Sequence, residues 1–364
     1  MAAFRYSNIS LSSMVIVMVI STISTQASAQ LSVSYYANTC PSVFDTIRSA
    51  TQSALNREPR MGASLLRMLF HDCFVSGCDG GILLEDFGTF VGEQNTRPNK
   101  DSVRGYSVIV SIKKQGCDGG ILLEDFGTFV GEQNTRPNKD SVRGYSVIVS
   151  IKKQVDTACG ASVVSCADIL AIAARDSVVE LGGPTYSVPV GRRDAKKANP
   201  NGVGDLVGPG EDLPSILDKF NKKGLTPRDT VALSGEHTIG QARCASYRAR
   251  IYNDANIDQS FAESLKSNCA QTAGSTDNNL APLDPQSPNR FGNNYFQALV
   301  SKKALLHSDQ VLYNGNSTDS IVSEFSASYN AFLTAFANAM VKMGSISPLT
   351  GTQGEIRVNC LRAN

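Results

Sequence analysis

The chain has no tryptophan and only three histidines in 364 residues. The first absence excludes any route that passes an electron through an indole. The second confines imidazole chemistry to His71, His237 and His307. A surplus of charge is also missing, since 34 Lys and Arg face 33 Asp and Glu. Nucleic-acid binding draws on a basic excess that this chain lacks. Beyond the N terminus, no stretch approaches the roughly 20 apolar residues of a spanning helix. The expected partners are therefore small molecules or a cofactor, with no nucleic acid and no membrane.

What is present at the N terminus is a short apolar run, Leu11 to Ile20, preceded by Arg5 and followed by Ala27-Ser28-Ala29. Small residues in that A-x-A order form a cleavage pattern, and the run is too short to span a bilayer. Residues 1–29 read as a signal peptide, and residues 30–364 as a secreted protein, outside the cell or in its wall. Cleavage removes Arg5 and no acid, which brings the net charge to zero.

The nine cysteines are Cys40, Cys73, Cys78, Cys117, Cys159, Cys166, Cys244, Cys269 and Cys360. In a secreted chain disulfides are the default, and an odd count needs a cause. The cause is an internal repeat. Residues 77–115 recur residue for residue as 116–154. Two identical copies are not a solenoid, which stacks several diverged units. One copy removed leaves eight cysteines, so Cys117, the duplicate of Cys78, is the odd one. Lengthening a loop costs only about 0.6 kcal/mol per doubling. The larger burden is a second set of apolar side chains and a spare thiol.

The remaining chain reads as mostly helical. Apolar residues recur at helical spacing through Ala63, Leu66, Phe70 and Phe74, which predicts a helix over 60–74. A second is predicted over 166–181, stopped by Gly182-Gly183-Pro184. Thr226 caps a third, with Pro227 at its first position and Asp229 in its first turn, running to His237. A long helix is predicted over 321–343, ending at Gly344. The Gly- and Pro-rich stretch 199–214 reads as a linker between two halves. Strand signals are weak.

Arg67 and His71 are four apart and share a helix face. An Arg beside a His suits proton transfer with anion stabilisation, and equally a solvated pair. His237 lies in Val231-Ala-Leu-Ser-Gly-Glu-His237-Thr-Ile-Gly240. It fits a satisfied core histidine or a haem ligand. A zinc cluster of His71, Cys73 and Cys78 conflicts with disulfide formation. Ser234 has no G-x-S-x-G elbow, and the glycines over 202–210 follow no strand.

Several segments together carry a resemblance: LLRMLFHDCFVSGCD at 65–79, RPN at 97–99, VVSCADILAIAARD at 163–176, GGPTYSVPVGRRD at 182–194, VALSGEHTIGQARC at 231–244, HSDQ at 307–310 and MGSISPLTGTQGEIRVNC at 343–360. In this order they resemble the plant secretory (class III) haem peroxidases across essentially the whole mature chain. The resemblance implies a mostly α, two-part helical fold holding one haem b between a distal half, about 30–195, and a proximal half, about 215–345. His71 would be the distal acid–base, Arg67 the stabiliser of developing negative charge, and Phe70 a wall of the pocket. Asn99 would steady His71, with Asn138 its duplicate alternative. His237 would ligate iron and Asp309 would accept its other ring N–H. Pro209 would line the opening where phenolic donors, such as lignin precursors and cell-wall phenols, give electrons singly to an enzyme oxidised by hydrogen peroxide. The implied disulfides are Cys40–Cys159, Cys73–Cys78, Cys166–Cys360 and Cys244–Cys269, in a monomer.

The family also implies two calcium ions with oxygen ligands. Asp72, Asp79 and the carbonyls of Val75 and Gly77 match the distal site, where Gly81 replaces a serine. Thr238, Asp284, Ser287 and the carbonyl of Arg290 match the proximal site, where Gly292 replaces an aspartate. Each site therefore lacks one expected ligand, and weaker binding is expected at both. Asn316-Ser317-Thr318 is a glycosylation acceptor pattern. The alternative function is a secreted haem- or calcium-binding protein with little turnover, disabled by the repeat.

Overall fold

A computed structural model describes residues 31–84, 92–93, 145–199 and 201–364. The signal segment, Asn99, Cys117 and Asn138 lie outside the described residues. The distal half holds α1 (Val43–Arg57), α2 (Met61–Val75), α3 (Tyr145–Cys159) and α4 (Cys166–Glu180). Glu58 precedes Pro59 and is extended, as a residue before proline prefers, so α1 stops at Arg57. The hydroxyl of Ser165 accepts from the Asp168 N–H at 3.1 Å and so starts α4. Gly182, with φ 93°, turns the chain after it. α2 packs on α4, and α1 packs on α3 and α4.

The proximal half holds α5 (Leu213–Lys222), α6 (Pro227–Ser234), α7 (Cys244–Asn253), α8 (Gln259–Lys266), α9 (Asn294–Val300), α10 (His307–Gln310), α11 (Asp319–Ala327) and α12 (Tyr329–Met343). Its strands β1 (Gln241–Arg243) and β2 (Leu280–Pro282) pair antiparallel, with Ala242 opposite Ala281. α6 begins with a full capping box: Thr226 accepts from the Asp229 N–H, and Asp229 accepts from the Thr226 N–H. Lys342 of α12 reaches both Asp229 oxygens at 2.8 Å and ties the two helices together.

Two helices differ from expectation. The helix after Thr226 gives way at Ser234 to a tighter 3-10 turn, Gly235–Thr238, which carries His237. There the backbone presses on aromatic rings, and a Cβ at Gly235 would lie 2.5 Å from Phe332. The long helix over 321–343 is two helices. Ser328 is extended, ends α11, and its side chain accepts from the Ala331 N–H at 3.2 Å to start α12. Both pieces bury Phe residues on one side, so the periodicity runs through a break that it does not reveal.

The main core spans both halves, from Leu65, Leu69 and Ile169 to Val231, Phe325 and Phe336. A smaller core gathers Tyr247, Ile251 and Ala281 around Cys244 and Cys269. Buried carboxylates brace the distal half, and one of them, Asp194, ties it to the C-terminal segment. Asp168 pairs with Arg192 at 2.8 Å and accepts from the Tyr36 hydroxyl at 2.8 Å. Asp194 accepts from the N–H groups of Cys166, Ala167 and Arg357.

The repeat is divided between its copies. Gly77–Leu84 comes from the first copy, continuous with α2. Residues 145–154 of α3 come from the second, continuous with Cys159.

Candidate active site

One cleft opens between α2 and the turn that follows α6. α2 contributes Arg67, Phe70 and His71 to its wall, the faces that three- and four-residue spacing brings together. Phe70 stacks on Phe74 at 4.2 Å between centroids, and Phe74 meets Phe220 of α5 edge-on at 4.8 Å. The aromatic wall thus continues from the distal half into the proximal half.

His237 faces the same cleft from the 3-10 turn. Its Nδ1 lies 2.8 Å from Asp309 Oδ1. The Tyr295 hydroxyl donates to that oxygen at 3.0 Å. With Nδ1 committed to a carboxylate, Nε2 is the nitrogen left for a metal. Burial opposes the protonated ring, but Asp309, reinforced by Glu236, outweighs it and the imidazole pKa is raised.

Sequence reasoning passed over Tyr295 and Glu236. Tyr295 carried no local signal, because its partner is Asp309 on another element. Glu236 lines the cleft and is pushed up to about 7 by burial, against the pull of His237 and Arg67. The Arg67 guanidinium is lowered by burial, although Glu236 favours its charge.

Pro209 lines the cleft, and its carbonyl accepts from the Ser308 N–H at 3.0 Å. That bond joins the linker to the segment carrying Asp309.

A family model described as Peroxidase matches residues 47–115 and 114–328. The chain is 50% identical to Peroxidase 4 of Vitis vinifera, covering 93% of each protein. It is 48% identical to Peroxidase P7 of Brassica rapa subsp. rapa, over 92% of this chain and all of that one. It is 46% identical to Peroxidase 67 of Arabidopsis thaliana, over 96% and 99%. This chain belongs to the plant peroxidase family. The family match breaks where the first copy of the repeat ends. Membership makes it an oxidoreductase acting on hydrogen peroxide and favours turnover over the binding-only alternative.

The peroxidase family implies haem, and the cleft fits one. Arg67 Nε is buried with no hydrogen-bond partner, a donor waiting on something in the cleft. Across from it, His237 offers a ring nitrogen whose partner nitrogen is already fixed by a carboxylate, the donor arrangement of a metal-bound histidine.

Calcium is typical of the family. In the distal half Asp72 accepts from the Gly80 N–H at 2.9 Å and the Ile82 N–H at 3.3 Å, and Asp79 from the Gly81 N–H at 2.9 Å. A Cβ at Gly81 would lie 2.8 Å from a Glu93 oxygen and 2.9 Å from an Asp79 oxygen. Glu93 and Asp79 thus crowd the space in front of Gly81. Burial pushes Asp79 up to about 6 and Glu93 up to about 7, and raises Asp72 as well. In the proximal half the Ser287 hydroxyl donates to Asp284 at 2.7 Å, and the Gly292 N–H to Thr238 Oγ1 at 3.2 Å. A Cβ at Gly292 would meet nothing within 4 Å. Among the described residues no three His, Cys, Asp or Glu side chains converge on one point.

Four disulfides join Cys40 to Cys159, Cys73 to Cys78, Cys166 to Cys360 and Cys244 to Cys269. Cys73 thus pairs with the cysteine of the first copy. Asn316 lies exposed on a loop, where its Nδ2 donates to the Val311 carbonyl at 2.8 Å. No helix among the described residues is long and apolar enough to cross a membrane.

Proposed function

We propose that this chain is a secreted, monomeric haem b peroxidase that takes its electrons from phenols, lignin precursors and cell-wall phenols among them. The observation that carries the reading is one cleft with Arg67 and His71 on one wall and the His237–Asp309 pair on the other. His237 would hold the haem iron. The bound haem supplies a redox-active iron that passes two electrons to peroxide and recovers them one at a time.

The side chains do the rest. His71 takes a proton from the inner peroxide oxygen and delivers it to the departing one, so that water leaves. Arg67 faces the negative charge that develops as the oxygen–oxygen bond breaks. Asp309 accepts the Nδ1–H of His237 and makes that ligand more electron-rich, while Tyr295 steadies Asp309. Asn99, or its duplicate Asn138, would fix the His71 tautomer. Each turnover consumes one hydrogen peroxide and two phenols and yields two waters and two phenoxyl radicals. Pro209 marks the cleft mouth where the donor docks.

Asp72, Asp79, Val75 and Gly77 would hold a distal calcium ion of reduced affinity. Thr238, Asp284, Ser287 and Arg290 would hold a weaker proximal one, since Gly292 stands where the family has an aspartate. Residues 1–29 would direct secretion, with which four disulfides agree, and Asn316 would accept a glycan.

The test is the mature chain refolded with haem and calcium. One equivalent of hydrogen peroxide should change the haem absorbance rapidly, and a phenol should reverse the change. Haem binding with no response to peroxide would overturn the proposal.

A further inference from the structure

His307 is the one histidine that the cleft chemistry leaves unused, and it is gripped from both sides. Its Nδ1 lies 2.7 Å from Asp254 Oδ2, and its Nε2 lies 3.1 Å from Asp212 Oδ1. A neutral imidazole has one N–H and cannot donate to two carboxylates, so this geometry calls for the protonated ring. The two acids belong to different elements. Asp254 caps the end of α7, and Asp212 precedes the first residue of α5.

The two contacts are not equivalent. Asp254 is mostly covered and also takes Arg250 at 2.9 Å, and the Arg250 guanidinium in turn holds the Ala304 carbonyl and Gln310. Asp212 is 79% exposed at its side chain. When the ring loses a proton, the one that remains stays on Nδ1 facing the braced Asp254. Nε2 then turns a lone pair toward the Asp212 carboxylate, and attraction becomes repulsion. Arg250 shares that Asp254 oxygen with the ring, while Asp309, two positions on in the chain, is turned to His237. Burial disfavours the charged ring, but the two carboxylates outweigh it and its pKa is raised.

What Asp212 holds in place is the donor side of the cleft. Pro209 lies three residues before it, and α5 carries Ile216 and Phe220, all three in the cleft wall. Without the Asp212 contact, the linker is fastened to the His307 segment by the bond from Ser308 to Pro209.

We propose that protonated His307 is a positioning residue that clamps the donor edge of the cleft, and that the clamp opens as pH rises. This rests on the reading that phenols dock beside Pro209. The peroxide step, carried by Arg67 and His71 on α2, lies outside the clamp.

The experiment is steady-state kinetics on the haem-loaded protein between about pH 5 and 9, with guaiacol as donor. The wild-type KM for guaiacol should rise about two- to fivefold across one titration, the scale of one partly exposed ion pair. The KM for hydrogen peroxide should not follow that rise. Asp212→Ala removes only the exposed contact and leaves Asp254 and Arg250 in place, and His307→Gln removes the charge. Both should show the high-pH KM at every pH. Normal guaiacol oxidation with wild-type and variant profiles that superimpose would overturn the role of His307 alone. No guaiacol oxidation by any of the three proteins would overturn the phenol reading along with it.

Discussion

His237 and Asp309 stand 72 positions apart in the chain and 2.8 Å apart in the fold. Because Tyr295 donates to the same Asp309 oxygen, the carboxylate is fixed from two directions. Replacing Asp309 by Asn keeps the shape and removes the charge that raises the His237 pKa. The variant should react with peroxide about 10- to 100-fold more slowly. Its iron should also be easier to reduce, as measured by spectroelectrochemical titration. An unchanged potential would show that Asp309 does not act through the ligand.

His71 is assigned the proton transfer of the peroxide step. His71→Ala should slow that step by about 10²- to 10⁴-fold, read by stopped-flow absorbance, with little change in haem affinity. A rate within a factor of about three of the wild type would remove His71 from the mechanism.

The raised carboxyls around Gly81 predict how the calcium-free protein responds to pH. A carboxyl raised in the fold binds more protons folded than unfolded. Its contribution is greatest below the unfolded value of about 4 and is lost as pH rises through the folded value. For Asp79 that value is about 6 and for Glu93 about 7. With chelator present, the melting temperature should be lower at pH 8 than at pH 5, and added calcium should narrow the gap. A calcium-free melting temperature that climbs over this interval would contradict the burial of these groups.

Gly235 sits against Phe332 and Phe296, with 2.5 and 3.0 Å available to a Cβ. Aromatic rings packed on one another yield little. Gly235→Ala should cost roughly 1–3 kcal/mol in chemical denaturation. It should also weaken haem retention, since His237 lies two residues on. A variant as stable as the parent would mean that the turn relaxes freely.

The spare thiol gives a prediction about folding. Cys117→Ser should raise the yield of refolded protein, because it removes the competitor for Cys73. Peptide mapping by mass spectrometry should find Cys73 joined to Cys78 in both proteins. A predominant Cys73–Cys117 link in the wild type would reverse the choice of copy.

The sequence by itself determined much of this protein. Apolar spacing marked α2 and α4, Thr226-Pro-Arg-Asp229 marked the start of α6, and the four-residue step from Arg67 to His71 placed both on one face. These are short-range effects, legible because a cap or a helical turn involves residues within four positions. The family motifs extended that reading to His237 and Asp309. Tertiary structure decided the rest. The break at Ser328 is hidden by apolar residues that continue on both sides of it, and Tyr295 became part of the site only when α9 packed beside Asp309. The two copies of the repeat have identical sequences and therefore identical local preferences. Chain continuity with α2 and with Cys159, already visible in the sequence, distinguishes the two copies, but only the packed fold shows Cys78 of the first bonded to Cys73 and residues 145–154 of the second forming the start of α3.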